Sequence, residues 1–223
     1  MILARAAAVI LLAVLSLAAC EREAASPAAQ AAPPAETAAE PRERAGPIRW
    51  NVGSGAFELA GRPLKATRLW TFDGSSEGFT AGRSQVALAE GQGLVLTLVD
   101  PSVRSPTALE IEGWRYGLVL VRLTRLKVGG TWDGALYYAS TTHGESAQFF
   151  AKPLSGADPA VNETTVLVYD MNRLAAGGDD WKNSLVDHIR IDLDGGAGGA
   201  FLVRQVAVVE SVDPAALDAA LIR

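Results

Sequence analysis

This chain is poor in the residues that do chemistry. Among 223 residues there is one cysteine, Cys20, and there are two histidines, His143 and His188. A single thiol closes no disulfide, so an exported domain must hold together by burial alone. Two histidines leave few general bases, and zinc-ligand spacing is absent. Neither histidine belongs to a nucleophile motif such as G-x-S-x-G, and the glycines at 195–199 lack the lysine and following helix of a phosphate loop. Basic charge is scarce too: 20 Lys and Arg face 25 Asp and Glu, for a net charge of −5. That balance argues against a nucleic-acid partner, which calls for a basic stripe. The acidic residues are dispersed, so no acidic tail is indicated. The apolar run at 6–17 is shorter than the roughly 20 residues of a membrane-spanning helix.

What is present begins with that short run. Arg5 precedes it and small residues follow, which is the layout of a secretory signal. Leu17-Ala18-Ala19-Cys20 resembles the bacterial lipobox, in which the cysteine is acylated and becomes the first residue after cleavage. Cys20 is therefore the expected lipidation site, which makes the membrane a partner through the lipid. Glu21 is not the aspartate that marks inner-membrane retention in enterobacterial lipoproteins, so the outer membrane is the preferred location within the bacterial envelope. From 21 to 47 the chain is rich in Ala, Pro and Glu and has no aromatic or β-branched apolar residue except threonine, Thr37. Such a segment cannot bury a core and is expected to be a disordered tether. The expected organisation is a signal peptide at 1–19, the acylated cysteine and tether at 20–47, and one domain at 48–223.

After residue 66 short apolar-alternating runs recur, at 69–72, 79–89, 94–99, 108–112, 117–126, 135–140, 148–152, 165–170, 188–193 and 201–209. Breakers such as Asp73-Gly74, Asp100-Pro101, Gly129-Gly130 and Gly177-Gly178 separate them. Evenly spaced short strands predict an all-β sandwich or barrel. Parity predicts faces. Val119, Val121 and Leu123 are core candidates, opposite Leu118, Leu120, Arg122 and Thr124; Ile189, Ile191 and Leu193 share one face, opposite His188, Arg190 and Asp192. The near-continuous apolar runs predict strands covered on both sides for part of their length. Trp50, Phe57 and Leu59 could pack on the domain as an irregular lead-in. Asp213 before Pro214 caps a short C-terminal helix at 214–222.

The order Leu69-Trp70-Thr71-Phe72-Asp73, Glu77-Gly78-Phe79, Gly93-Leu94, Asp100-Pro101, Gly113-Trp114-Arg115-Tyr116, Tyr137-Tyr138, Val168-Tyr169-Asp170, Trp181, Ile189-Arg190-Ile191-Asp192 and the run at 201–210 resembles the galactose-binding-like β-sandwich, or jelly roll. Such domains occur as carbohydrate-binding modules beside bacterial polysaccharide-degrading enzymes. The resemblance covers about 66–210 and implies that Trp70, Phe72, Phe79, Trp181, Ile189 and Ile191 are framework. It also raises a structural calcium between the first and last strands, at positions matching Asp73 and Glu210. Arg204-Gln205 stands where the last strand usually offers an acid or amide, so no metal is expected, and no cofactor.

Sugar binding calls for flat aromatic faces and planar polar groups. Trp132, in a loop between breakers, and Tyr138 are the aromatic candidates; Tyr137 and Tyr138 point to opposite faces, so only one of the two can face the core. Arg122, His188, Arg190 and Asp192 are the polar ones. Asp170, Asp179, Asp180 and Asp192 supply carboxylates for glycoside hydrolysis, but no spacing pairs them, and no enzyme is expected. The expected function is a non-catalytic envelope lipoprotein that binds carbohydrate through its β-sandwich. The alternative is an envelope interaction or assembly factor holding a protein partner on the same sandwich.

Overall fold

The apolar trio Val119, Val121 and Leu123 is fully buried, and it forms one wall of the core. The structure, a computed structural model, describes residues 41–82, 85–89, 93–154 and 158–221. The signal peptide, Cys20 and the tether up to residue 40 lie outside the described residues. The strands in chain order are β1 (Arg42–Glu43), β2 (Ile48–Asn51), β3 (Ala56–Leu59), β4 (Arg62–Pro63), β5 (Ala66–Trp70), β6 (Thr80–Ala81), β7 (Gln85–Ala89) and β8 (Gly93–Val99). They continue with β9 (Ser102–Arg104), β10 (Ile111–Glu112), β11 (Leu118–Lys127), β12 (Trp132–Ser140), β13 (Phe150–Ala151), β14 (Glu163–Asp170), β15 (Leu185–Asp194) and β16 (Ala197–Val209). The one α-helix among the described residues, α1 (Pro214–Leu221), follows β16, and no helix among them is long and apolar enough to cross a membrane.

The larger sheet has the order β1-β14-β11-β16-β8-β7, with β5 also paired to β16; the smaller has the order β13-β12-β15-β9-β6, with β10 also paired to β15. The two pack as a jelly-roll β-sandwich. Between them lie Val119, Val121, Leu123, Leu167, Tyr169, Val203 and Val206 from one side and Leu136, Tyr138, Ile189, Ile191 and Leu193 from the other. The residues at 79–89, expected as one strand, divide at Gly82. β6 joins the smaller sheet and β7 the larger, so the chain changes sheets there. A side chain at Gly82 would collide with the Ser102 hydroxyl, at 2.4 Å from a Cβ.

The larger sheet is covered on its outer face as well. Leu118, Leu120, Val168, Ala207 and Val209 form a second apolar layer with Ile48, Phe57 and Leu217. The lead-in at 48–65 is therefore a small three-stranded sheet, β2-β3-β4, rather than an irregular strand. Trp50 packs edge-on against Phe57 at 5.1 Å. Helix α1 supplies the rest of the cover, and its start is fixed where Ala215 N–H donates to Asp213 Oδ1 at 3.1 Å. Trp181, expected as framework, is fully buried and donates its indole N–H to the Tyr116 carbonyl at 2.9 Å.

The expected tether ends earlier than residue 47. Arg42 and Glu43 pair in parallel with Glu163 and Thr164 of β14. The Arg44 guanidinium binds the Glu163 carboxylate, and Arg122 holds Glu43 through two nitrogens at 3.0 and 2.9 Å. Charged side chains, not apolar ones, fasten this segment, which is why composition missed it.

Phe57 is 2% exposed, and Phe57→Ala should lower unfolding free energy by roughly 3 kcal/mol, because it uncovers the outer apolar layer. Val52→Ala, at a position 83% exposed, should change it by less than about 0.5 kcal/mol. Urea titration followed by tryptophan fluorescence checks both.

Candidate functional site

The outer face of the smaller sheet has no such cover. Strand β15 sends Ile189, Ile191 and Leu193 into the core, so its pleat turns His188, Arg190 and Asp192 outward. Register extends this into a row across the sheet. Arg190 pairs with Tyr137 of β12 on one side and Arg104 of β9 on the other, Tyr137 pairs with Phe150 of β13, and Arg104 pairs with Thr80 of β6. Phe150 and Tyr137 stack with ring centroids 5.4 Å apart, and the Arg190 guanidinium lies 4.3 Å from the centre of the Tyr137 ring. Four planar groups thus stand side by side: Phe150, Tyr137, Arg190 and Arg104. The Tyr137 hydroxyl has no partner among the described residues.

Carboxylates fix the cations in this row. Both Arg190 Nε and Nη2 donate to Asp192, at 2.8 and 2.9 Å. Glu145, on the loop between β12 and β13, receives Arg104 in a two-pronged contact and Arg190 Nη1 at 2.7 Å, and it lies 2.8 Å from His188 Nε2. His188 Nδ1 lies 2.7 Å from Asp187. The loop itself is pinned through His143, whose ring stacks on Phe149 at 3.6 Å and whose Nε2 lies 2.8 Å from Asp180 Oδ2. Next to the row a cleft of about 450 Å3 is lined by Gly82, Asp100, Ser102, Arg104, Arg190 and Asp192.

The electrostatics follow from these contacts. Burial alone would raise the Glu145 pKa, but the hydrogen bonds from Arg104, the charges of Arg190 and Arg104, and the contact with His188 outweigh it and hold it at about 2. Asp192 is pushed up, chiefly by burial and also by the charges of Asp100 and Asp133, although Arg190 opposes the rise. Burial, with the charges of Asp133 and Asp192, also raises Tyr137.

Of the residues expected from the sequence, His188, Arg190 and Asp192 come together here. Tyr138 does not. It is fully buried and donates its hydroxyl to Asp180 at 2.8 Å, so the outward tyrosine is Tyr137. Arg122 lies on the outer face of the other sheet, bound to Glu43 and Gln205. Trp132 is half-buried at the end of the sandwich, tilted against Phe201 at 6.0 Å, with Gly134 so close that a Cβ there would sit 2.7 Å from the indole. Sequence reasoning missed Arg104, Glu145 and Phe150, and of the two tyrosines it took Tyr138 rather than Tyr137 as the ligand-facing one.

The other expected acids are engaged locally. Asp170 takes Arg173 at 2.6 Å, Asp179 takes Lys182 at 2.7 Å, and Asp180 takes Tyr138. Glu210, raised as a calcium position, lies against Lys65 at 3.3 Å and Arg115 at 3.2 Å. Among the described residues no three acidic or histidine side chains gather as a metal site.

The low Glu145 pKa carries a pH prediction. Its carboxylate is ionised in the folded protein well below the ordinary value of 4.5, so its contribution is complete above that pH and is lost as pH falls toward 2. Only 10% of the side chain is exposed, so screening by solvent is slight. The wild type should lose on the order of 3 kcal/mol more stability across that window than Glu145→Gln does, measured by urea unfolding at stepped pH.

No protein-family model matches the sequence, and no curated protein matches it. Among solved structures the chain is similar to CBM86, a low-affinity xylan-binding module from the gut symbiont Roseburia intestinalis. That likeness has 14% identity and a TM-score of 0.40, over 65% of this chain and 95% of the module. It is also similar to a family 29 carbohydrate-binding module from Piromyces equi. Here identity is 16% and the TM-score 0.41, over 61% of this chain and 84% of the module. The sheets themselves make the chain a β-sandwich.

Proposed function

We propose that this protein is a non-catalytic lipoprotein of the bacterial envelope that binds carbohydrate on the outer face of the smaller sheet. The observation that carries the reading is the row Phe150, Tyr137, Arg190 and Arg104. A sugar presents C–H-rich surfaces and a ring of hydroxyls. The row offers an aromatic rim, the unengaged Tyr137 hydroxyl, guanidinium donors and the Asp192 and Glu145 acceptors, all held rigid before any ligand arrives. A face crowded with paired charges suits polar hydroxyls better than an apolar protein patch.

Non-catalysis is supported by the state of the acids. Glu145 is held ionised by three cationic or imidazole groups and cannot serve as a proton donor near neutral pH. Asp192 is chelated by Arg190 through both oxygens, which occupies it as a nucleophile. Anchoring is supported by the sequence alone: Arg5, the apolar run at 6–17 and Leu17-Ala18-Ala19-Cys20. Glu21 favours the outer membrane.

The test of the face is affinity electrophoresis and calorimetry of the 41–223 domain against a panel of plant, fungal and bacterial polysaccharides. At least one should be retained, and Tyr137→Ala should weaken it by about tenfold or more. Retention equally strong in Tyr137→Ala would move the site off this face, and retention of none would end the carbohydrate reading. Reducing ends should not accumulate on prolonged incubation; their release would make the protein an enzyme. In a bacterial host Cys20→Ala should leave the membrane fraction for the soluble one, and its persistence in membranes would refute acylation as the anchor.

A further inference from the structure

In the row described above both faces of Tyr137 are occupied, one by Phe150 and the other by the Arg190 guanidinium. One indole is left with its surface free. Trp114 is 65% exposed, whereas Trp70 and Trp181 are buried and Trp50 and Trp132 half-buried. No ring or cation contact to Trp114 occurs among the described residues.

This exposure is built into the backbone. Gly113 lies so close to the Trp181 carbonyl that a Cβ there would sit 1.8 Å from its oxygen, and the Gly113 N–H donates to the Ser184 carbonyl at 3.1 Å. Arg115 and Tyr116 N–H both donate to the Glu112 carbonyl, at 3.0 and 3.1 Å, closing a turn around Trp114. The loop is tied on each side of the indole, which fixes where the backbone of Trp114 stands.

Trp114 also adjoins the same face. The register of β15 shifts by one residue at Asp187: Ala139 pairs with His188, but Ser140 pairs with Val186. The bulge turns Val186 inward and Leu185 outward, on the side of His188 and Arg190. Leu185 is 40% exposed and faces Glu112 across the β10–β15 pair. Trp114 shares with Glu112, Leu185, Lys182 and Asn183 a shallow cleft of about 510 Å3. Asn183 donates its amide to the Asp179 carbonyl, which leaves its own oxygen as an acceptor beside the indole. From Leu185 to Arg190 is five strand steps, roughly 15 Å. Strand β15 therefore leads from the Trp114 cleft, past His188, to Arg190 beside Tyr137.

We infer that Trp114 is the stacking platform of an extended site, and that the ligand is a linear glycan several residues long, lying along β15 with one pyranose ring on the indole and later hydroxyls on the polar row. This rests on the carbohydrate reading of the face. The two parts are complementary: Tyr137 has no free ring face, and the Trp114 cleft lacks the guanidinium pair.

Calorimetry with β-1,4-linked gluco-, manno- and xylo-oligosaccharides, from disaccharide to hexasaccharide, tests it with wild type, Trp114→Ala and Tyr137→Ala. Wild-type affinity should rise with length, and Trp114→Ala should abolish the rise, weakening the hexasaccharide by about tenfold. Urea unfolding of Trp114→Ala should match the wild type, because the indole is exposed. A rise with length that persists in Trp114→Ala, while Tyr137→Ala weakens every length, overturns the platform and leaves the carbohydrate reading standing. If the wild type binds no oligosaccharide or polysaccharide, both fall together.

Discussion

One strand has to satisfy two surfaces at once. Along β15 the pleat commits alternate side chains to the core, where Ile189, Ile191 and Leu193 are sealed between the sheets. The intervening His188, Arg190 and Asp192 are carried to the open face by the same geometry. Slipping the register by one residue would bury Arg190 and two ionisable neighbours, at a cost of several kcal/mol for each unpaired charge. The tight packing of the core therefore sets the positions of the outward groups, and the face is as rigid as the sandwich beneath it.

The charges on that face would cost stability if they were solitary. Asp192 shows the strain, since burial and the neighbouring acids push its pKa up. Glu145 pairs the cations of the face, from 43 residues along the chain to His188 and 45 to Arg190, by drawing Arg104, Arg190 and His188 onto one carboxylate. His143, Asp180 and the buried Tyr138 in turn hold that loop in place. Tyr138 thus matters to the face without belonging to it: it fixes Asp180, which holds His143, two residues from Glu145.

The sandwich, the inward faces of β11 and β15 and the cap on α1 were legible because alternation and capping are local. The rest was not, for identifiable reasons. Parity separates the two faces of one strand but does not say which sheet the strand joins, so Arg122 was grouped with residues on the far side of the molecule. Ala135 to Ala139 is apolar throughout, which left Tyr137 and Tyr138 interchangeable until the core chose the second. Strand β9 has three residues between two prolines, and nothing local marks it as the neighbour of β15. Glu145 carries no signal at all, since its partners are remote in sequence. Trp132 and Trp114 both sit beside glycines. Gly134 brings the backbone up against the first indole, and Gly113 seats the loop on Trp181 and leaves the second in the open.

Residues 41–48 run along the edge and the outer side of the larger sheet, paired with β14 and ending in the apolar layer under β2. The open face belongs to the other sheet. A pull on the chain upstream of Pro41 is therefore delivered to β14 and the Arg44–Glu163 and Arg122–Glu43 ion pairs, in shear along two parallel strands, and not to the residues of the open face. The entering chain is thus fastened to the side of the sandwich opposite the open face, and the buried core lies between the two.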